Sequence, residues 1–145
     1  MKVVLQRVLQ AQVRVEGKAA GKIDKGLLVY LSISKGDTQE HAKFIAGKLA
    51  GLRVFEDPNG RMNRSIIDIG GSMLLVSNFT LDGDCRKGRR PSFDGAAGPE
   101  LAEKLYEKVC ELVAEYGVKV ERGIFAAHMH VSSVNDGPVT FILET

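Results

Sequence analysis

Residues 26–50, GLLVYLSISKGDTQEHAKFIAGKLA, decide the architecture, because the spacing of apolar side chains changes within them. Gly26-Leu27-Leu28-Val29-Tyr30-Leu31 is apolar on both faces, the pattern of a strand covered from two sides. Lys35-Gly36-Asp37 closes it. Beyond that point Ala42, Ile45, Leu49 and Leu52 recur at three- and four-residue steps, so the spacing predicts a helix from about Asp37 to Ala50 with this stripe laid on the sheet. Asp37 followed by Glu40 reads as a capping box, with Asp in place of Ser or Thr.

Upstream, Val3, Leu5, Val13 and Val15 alternate with Gln6, Arg14 and other polar residues, the period-two signal of a half-buried strand. Gly17 and Gly21 read as turn residues. Downstream, Arg53-Val54-Phe55 runs into the turn Glu56-Asp57-Pro58-Asn59-Gly60, and Gly70-Gly71 precedes a short strand, Met73 to Val76. Residues 82 to 99 carry Gly83, Gly88, Pro91, Gly95, Gly98 and Pro99 with almost no periodicity, a loop long enough to suggest function. A second helix starts near Pro99, follows Leu101, Leu105, Val109, Leu112 and Tyr116, and stops at Gly117. Strands are expected over Val118 to Glu121 and about Ala127 to Val134. Asn135-Asp136-Gly137-Pro138 then interrupts before a last strand, Val139 to Leu143. The expectation is one α/β domain over residues 1–145: a mixed, strand-rich sheet or partly closed barrel with two amphipathic helices packed on it.

The chain has 145 residues, one domain's worth, and its 44% hydrophobic and 26% charged content excludes a disordered or low-complexity protein. Twenty Lys and Arg against 18 Asp and Glu leave a net charge of +2, which excludes a uniformly cationic nucleic-acid coat but permits a local patch. Cys85 and Cys110 form no ligand cluster, and no signal-peptide pattern opens the chain, so a reducing cytoplasmic setting is expected. No apolar run approaches the ~18 residues of a membrane span.

Arg86-Lys87-Gly88-Arg89-Arg90 places four cations in five residues of the glycine-rich loop, donors suited to phosphate oxygens on one part of a polyanion. A solvated surface loop is the plain alternative. Ser77-Asn78-Phe79-Thr80 ends an apolar strand, where α/β proteins often put chemistry. No Gly-x-Ser-x-Gly elbow is present and no His/Asp pair stands ready to activate either hydroxyl. In Asn135-Asp136-Gly137-Pro138-Val139-Thr140, Gly before Pro relieves the usual clash, although an X-Pro bond is cis in only ~5–6% of folded cases. A turn of this kind offers two carbonyl oxygens pointing one way. His128 and His130 share one face of a strand but lack a third metal ligand at a recognisable spacing. Asp82-Gly83-Asp84 reads as a turn, and Cys85 as a bystander thiol.

Taken together, Val4-Leu5-Gln6-Arg7-Val8, Gly26-Leu27-Leu28-Val29, Ser77-Asn78-Phe79-Thr80-Leu81, Lys87-Gly88-Arg89-Arg90-Pro91-Ser92-Phe93 and Asn135 to Thr140 resemble, in order and spacing over essentially the whole chain, the D-aminoacyl-tRNA deacylases of the D-tyrosyl-tRNA type. The resemblance implies a cytoplasmic homodimeric proofreading hydrolase that cleaves the ester between a D-amino acid, or mischarged glycine, and the 3′-terminal adenosine of tRNA, with no cofactor or metal. It implies a cis Gly137-Pro138 dipeptide inserted into the partner's active site as a chirality gate, held by Arg7. It also implies a catalytic stretch of Ser77, Phe79 and Thr80, a pocket lined by Asn78, Phe125 and Met129, and tRNA contacts from Arg86, Lys87, Arg89 and Arg90.

In that family Thr80 is one candidate nucleophile and the ribose 2′-hydroxyl the other activator. Chemistry favours the second, with backbone N–H groups near Phe79 and Thr80 as oxyanion donors, because no base stands near Thr80 in the sequence. Two departures bear on substrate preference: Asn78 replaces the usual Gln, and Ala126-Ala127 follows Phe125 where Gly is usual. His128, His130 and Ser133 are atypical as well. Two other classes remain open, a non-catalytic RNA-binding module using the Arg86–Arg90 loop and a metal hydrolase built on His128 and His130.

Overall fold

In the computed structural model, which describes residues 1–145, Val3, Leu5, Val8, Ala11 and Val13 are buried along one long strand, β1 (Lys2–Val15). Three strands pair with β1 antiparallel. β2 (Lys18–Ile23) takes its Ala11–Val15 half, β3 (Gly26–Ser32) its Lys2–Val8 half, and β8 (His130–Glu144) runs along most of its length. β6 (Ser72–Ser77) and β7 (Lys119–Arg122) extend the sheet in parallel beyond β3. β4 (Phe55–Glu56) and β5 (Met62–Arg64) make a separate hairpin. The sheet is mixed, as expected.

Both faces of β3 and β6 are covered, which is why these strands read as unbroken apolar runs. Leu27, Val29 and Leu31 of β3, with Met73 and Leu75 of β6, meet α1 (Gln39–Gly51) and α2 (Pro99–Glu115) in the larger core. Leu28, Leu74 and Val76 point the other way and pack with Val8, Ala11, Val13 and Ile23 inside the curl of the sheet. The curl is nearly closed, because β2 comes up against β7. Gly21 lies within β2 and is not a turn residue: a Cβ there would stand 2.7 Å from the Arg122 carbonyl oxygen, so only glycine permits the approach.

Local differences from the expected elements have identifiable causes. α1 starts at Gln39 with Thr38 as its cap, and His41 Nδ1 accepts the Thr38 N–H at 3.4 Å. Asp37 is unavailable for capping because its carboxylate accepts the Met1 α-ammonium at 2.7 Å and the Ser34 N–H at 2.6 Å. The turn after Glu56 carries a second arm, β5, which left no signal because Met62 and Asn63 are exposed. In α2, Leu105 and Val109 are buried while Leu101 and Tyr116, at the ends of the stripe, are exposed.

The largest difference is in β8. Asn135 to Pro138 do not divide two strands; one strand continues through them with a bulge. Thr140 faces Gln6 and Asn135 faces Val8, so Asp136–Val139 stand opposite Arg7 alone; Asp136–Pro138 bulge from the ladder, and Val139 returns to the core. At the tip, the Gly137–Pro138 peptide bond is cis. No helix is long and apolar enough to cross a membrane.

Candidate functional site

The exit of β6 carries the first part of the site. Ser77 ends the strand, and the Asn78 N–H donates to the Leu31 carbonyl of β3 at 2.9 Å. The chain then tightens into a single 3-10 turn, Phe79–Asp82. Asn78 caps it: its Oδ1 accepts the Thr80 N–H at 3.2 Å and the Thr80 hydroxyl at 2.6 Å. Of the two main-chain donors expected to face an oxyanion, the one on Thr80 is thereby engaged. The Phe79 N–H donates to nothing in the chain and remains available. The Phe79 ring is 59% exposed and meets Phe93 edge-on, with centroids 5.1 Å apart.

The far end of the turn is anchored by Asp82, which the sequence alone marks only as part of a turn. Its buried carboxylate accepts the Ser32 hydroxyl at 2.5 Å and the Ser34 hydroxyl at 2.9 Å, and Lys2 Nζ lies 3.3 Å away. Burial alone would raise the pKa of this group, but those three donors outweigh it and hold the carboxyl below the ordinary range. Asp82 joins Lys2, Asp84, Arg86, Ser92 and Asp94 in lining a cleft of about 780 Å³ beside the turn.

Phe125 and Met129 approach the same strand end from β7. The Gly123 N–H donates to the Leu75 carbonyl at 2.9 Å, which brings the 123–129 segment alongside β6. Tyr106 reaches the same carbonyl with its hydroxyl at 2.9 Å, and burial pushes its pKa well up. Phe125 packs half-buried near the Tyr106 ring, and Met129 leans on the inner core. Between them Ala126 has φ +58°, a left-handed conformation that costs an alanine about 1–2 kcal/mol and a glycine nothing. Here the sequence substitutes Ala at a position whose geometry suits Gly.

The second part of the site is the β8 bulge. Arg7, only 4% exposed, lies beneath it. Its Nη1 donates to the Val54 carbonyl at 2.8 Å, and its Nε reaches Asp136 Oδ2 at 2.9 Å and the Asp136 carbonyl at 3.3 Å. Gly137 and Pro138 are exposed above it. A Cβ at Gly137 would meet only Asn135 Oδ1, at 3.8 Å, so no other element of this chain crowds the tip.

The cationic loop is a closed excursion, pinched where Asp84 and Ser92 exchange main-chain hydrogen bonds of 2.7 and 3.0 Å. Arg86 grips Asp84 with both Nε and Nη2, at 2.9 and 2.7 Å, and those hydrogen bonds hold the Asp84 carboxyl well below the usual carboxylate range. Lys87, Arg89 and Arg90 form no ion pair and stand exposed. His128 and His130 do adjoin, with ring centroids 4.9 Å apart, but no three His, Cys, Asp or Glu side chains are placed so that they could hold a metal ion. Cys85 is exposed and Cys110 buried, with burial pushing the Cys110 thiol up to about 11. Sequence reasoning missed Asp82, Ser32 and Ser34, because nothing local marks an aspartate two residues past Thr80 as buried.

Known proteins share both the sequence and the fold. Residues 4–144 match the model of the family described as "D-Tyr-tRNA(Tyr) deacylase". A D-aminoacyl-tRNA deacylase of Desulfatibacillum aliphaticivorans is 57% identical over all 145 residues and 99% of its own length, and one of Thermosipho africanus is 54% identical over 97% of its length. Among solved structures, the "c-Myc DNA Unwinding Element Binding Protein" superposes with a TM-score of 0.93 at 39% identity, covering 100% of this chain and 99% of that one. A "probable eukaryotic D-amino acid tRNA deacylase" shares the fold with a TM-score of 0.84 at 20% identity, over 98% and 97% of the two chains.

Proposed function

The chain belongs to the D-aminoacyl-tRNA deacylase family and is a hydrolase of aminoacyl-tRNA ester bonds; on that footing, we propose that it works in the cytoplasm as a proofreading homodimer that frees tRNA of D-amino acids and mischarged glycine. In this reading each Gly137–Pro138 tip enters the active site of the partner subunit, where its fixed carbonyl oxygens exclude the side chain of an L-amino acid. The observation that carries it is the tip itself: a main-chain protrusion braced by buried Arg7 and crowded by no other element of its own chain. A tip left free by its own chain is what a gate acting on the partner subunit requires. A main-chain wall suits the task, since a pocket that merely binds one methyl group less well discriminates by only about 1–3 kcal/mol.

The chemistry follows from the turn. The Thr80 hydroxyl gives its hydrogen to an amide oxygen, which is no base, so Thr80 lacks the partner a nucleophile requires. The Phe79 N–H donates to the developing oxyanion, an interaction whose removal elsewhere costs about 2.7–4 kcal/mol. The ribose 2′-hydroxyl of the substrate activates water against an ester that is already reactive. Lys87, Arg89 and Arg90 hold the tRNA backbone by charge. Ser77, Asn78, Phe125 and Met129 shape the pocket for the terminal adenosine and its ester.

Incubation with matched D- and L-aminoacyl-tRNA, in chelator, with release of free amino acid as the readout, tests the reading. Hydrolysis of the D-substrate alone supports it, and equal hydrolysis of both defeats it. RNA binding without turnover selects the non-catalytic alternative, and loss of turnover in chelator selects chemistry at His128 and His130.

A further inference from the structure

A four-residue bulge opposite one residue leaves main-chain carbonyls without ladder partners at its neck, and such groups need another donor. Two of them, those of Arg7 on β1 and Val139 on β8, receive theirs from a single side chain. Asn135 Nδ2 donates to the Arg7 carbonyl at 2.9 Å and to the Val139 carbonyl at 3.3 Å. The second bond closes a ring around Asp136-Gly137-Pro138, and the first ties that ring to β1. Arg7 braces the protrusion from below through Asp136, but none of its hydrogen bonds reaches the Val139 side of the loop.

We infer that Asn135 is a positioning residue for chirality: its amide group clips both ends of the protrusion and so sets the direction of the Gly137 and Pro138 carbonyl oxygens. An amide is required because two acceptors must be served by one NH₂ group. A carboxylate at this place would set an acceptor against two acceptors, and a methyl would serve neither. The inference rests on the gate reading above.

The test is single-turnover hydrolysis of D-, L- and glycyl-tRNA by Asn135→Asp, Asn135→Ala and Gly137→Val in the full chain. For the Asn135 variants the ratio of D to L rate constants falls at least fivefold, chiefly because the L-substrate gains access, while glycyl-tRNA continues to be cleaved. A fall of less than fivefold in variants with the native circular dichroism spectrum and a cooperative melt overturns the inference. Gly137→Val separates the two ideas. If it too leaves D and L hydrolysis unchanged, the gate reading fails; if it alone alters them, only the role of Asn135 fails. Should Asn135→Asp not fold, Asn135→Ala decides the matter, and amide hydrogen exchange of Gly137 and Val139 must quicken in it relative to the native chain.

Discussion

The Thr80 hydroxyl and the Asn78 side-chain oxygen lie 2.6 Å apart, with Thr80 the donor. The hydrogen a nucleophile would have to shed is directed at a group that cannot take it. Thr80→Ala is therefore expected to retain deacylation within about tenfold, a barrier change of roughly 1.4 kcal/mol. Single-turnover release of a D-amino acid measures it. A well-folded but inactive variant would return Thr80 to the role of nucleophile.

Glycine separates steric exclusion from selective binding. Glycyl-tRNA should be cleaved and L-alanyl-tRNA should not, though the two acyl groups differ by one methyl. Parallel time courses on the two substrates decide this, and comparable rates would remove the gate from the mechanism.

The buried Asp82 carboxylate gives a pH signature. Its pKa in the folded chain is lowered from the ordinary 3.8, so its stabilising effect is present above that value and disappears as the pH falls through the folded-state value. Asp82→Asn should lower the unfolding free energy by about 2 kcal/mol at pH 7. The gap between variant and native chain should narrow below about pH 4. Urea unfolding at a series of pH values reads both quantities, and a gap independent of pH would mean the charge is not what anchors the turn.

In the cationic loop, Arg86 is already held by Asp84 while Arg89 is free. Arg89→Ala should weaken tRNA binding and reduce the slope of log K against log salt by about 0.7–0.9. Arg86→Ala should change that slope less. Filter binding across a salt series compares them; equal effects would mean Asp84 releases its partner to the RNA.

Gly26 opens β3 where it first pairs with β6, and a Cβ there would lie 1.8 Å from the Ser72 carbonyl oxygen. Gly26→Ala must separate the two strands to fit, with an expected loss of about 3 kcal/mol, at or beyond the upper end of core overpacking. Thermal melting measures it, and a melting temperature close to that of the native chain would show that β3 and β6 yield more easily than their pairing suggests.

Much of the fold is legible in the sequence because burial leaves a local trace. Leu27 to Leu31 and the stripe through Ala42, Ile45 and Leu49 announce a covered strand and its helix. The missed features depend on distant partners. Asp37 looks like a cap until the α-ammonium of Met1 arrives from 36 residues away. Gly21 looks like a turn residue until the backbone at Arg122 is placed against it. Of the site, the residue types at the end of β6 and in Asn135 to Thr140 could be read directly. The anchoring of Asp82 could not, since its partners Ser32, Ser34 and Lys2 carry no motif. Nor could the engagement of the Thr80 N–H, which depends on how short the Asn78 side chain is.

β8 has a single strand neighbour, β1, and along its 15 residues only Val139 is buried, while Ile142 remains 70% exposed. Its outer rim is a row of unsatisfied peptide groups on which any extended segment can lay down another strand. An edge of this kind is a template for misassembly, so whatever covers it guards against aggregation quite apart from any effect on a substrate.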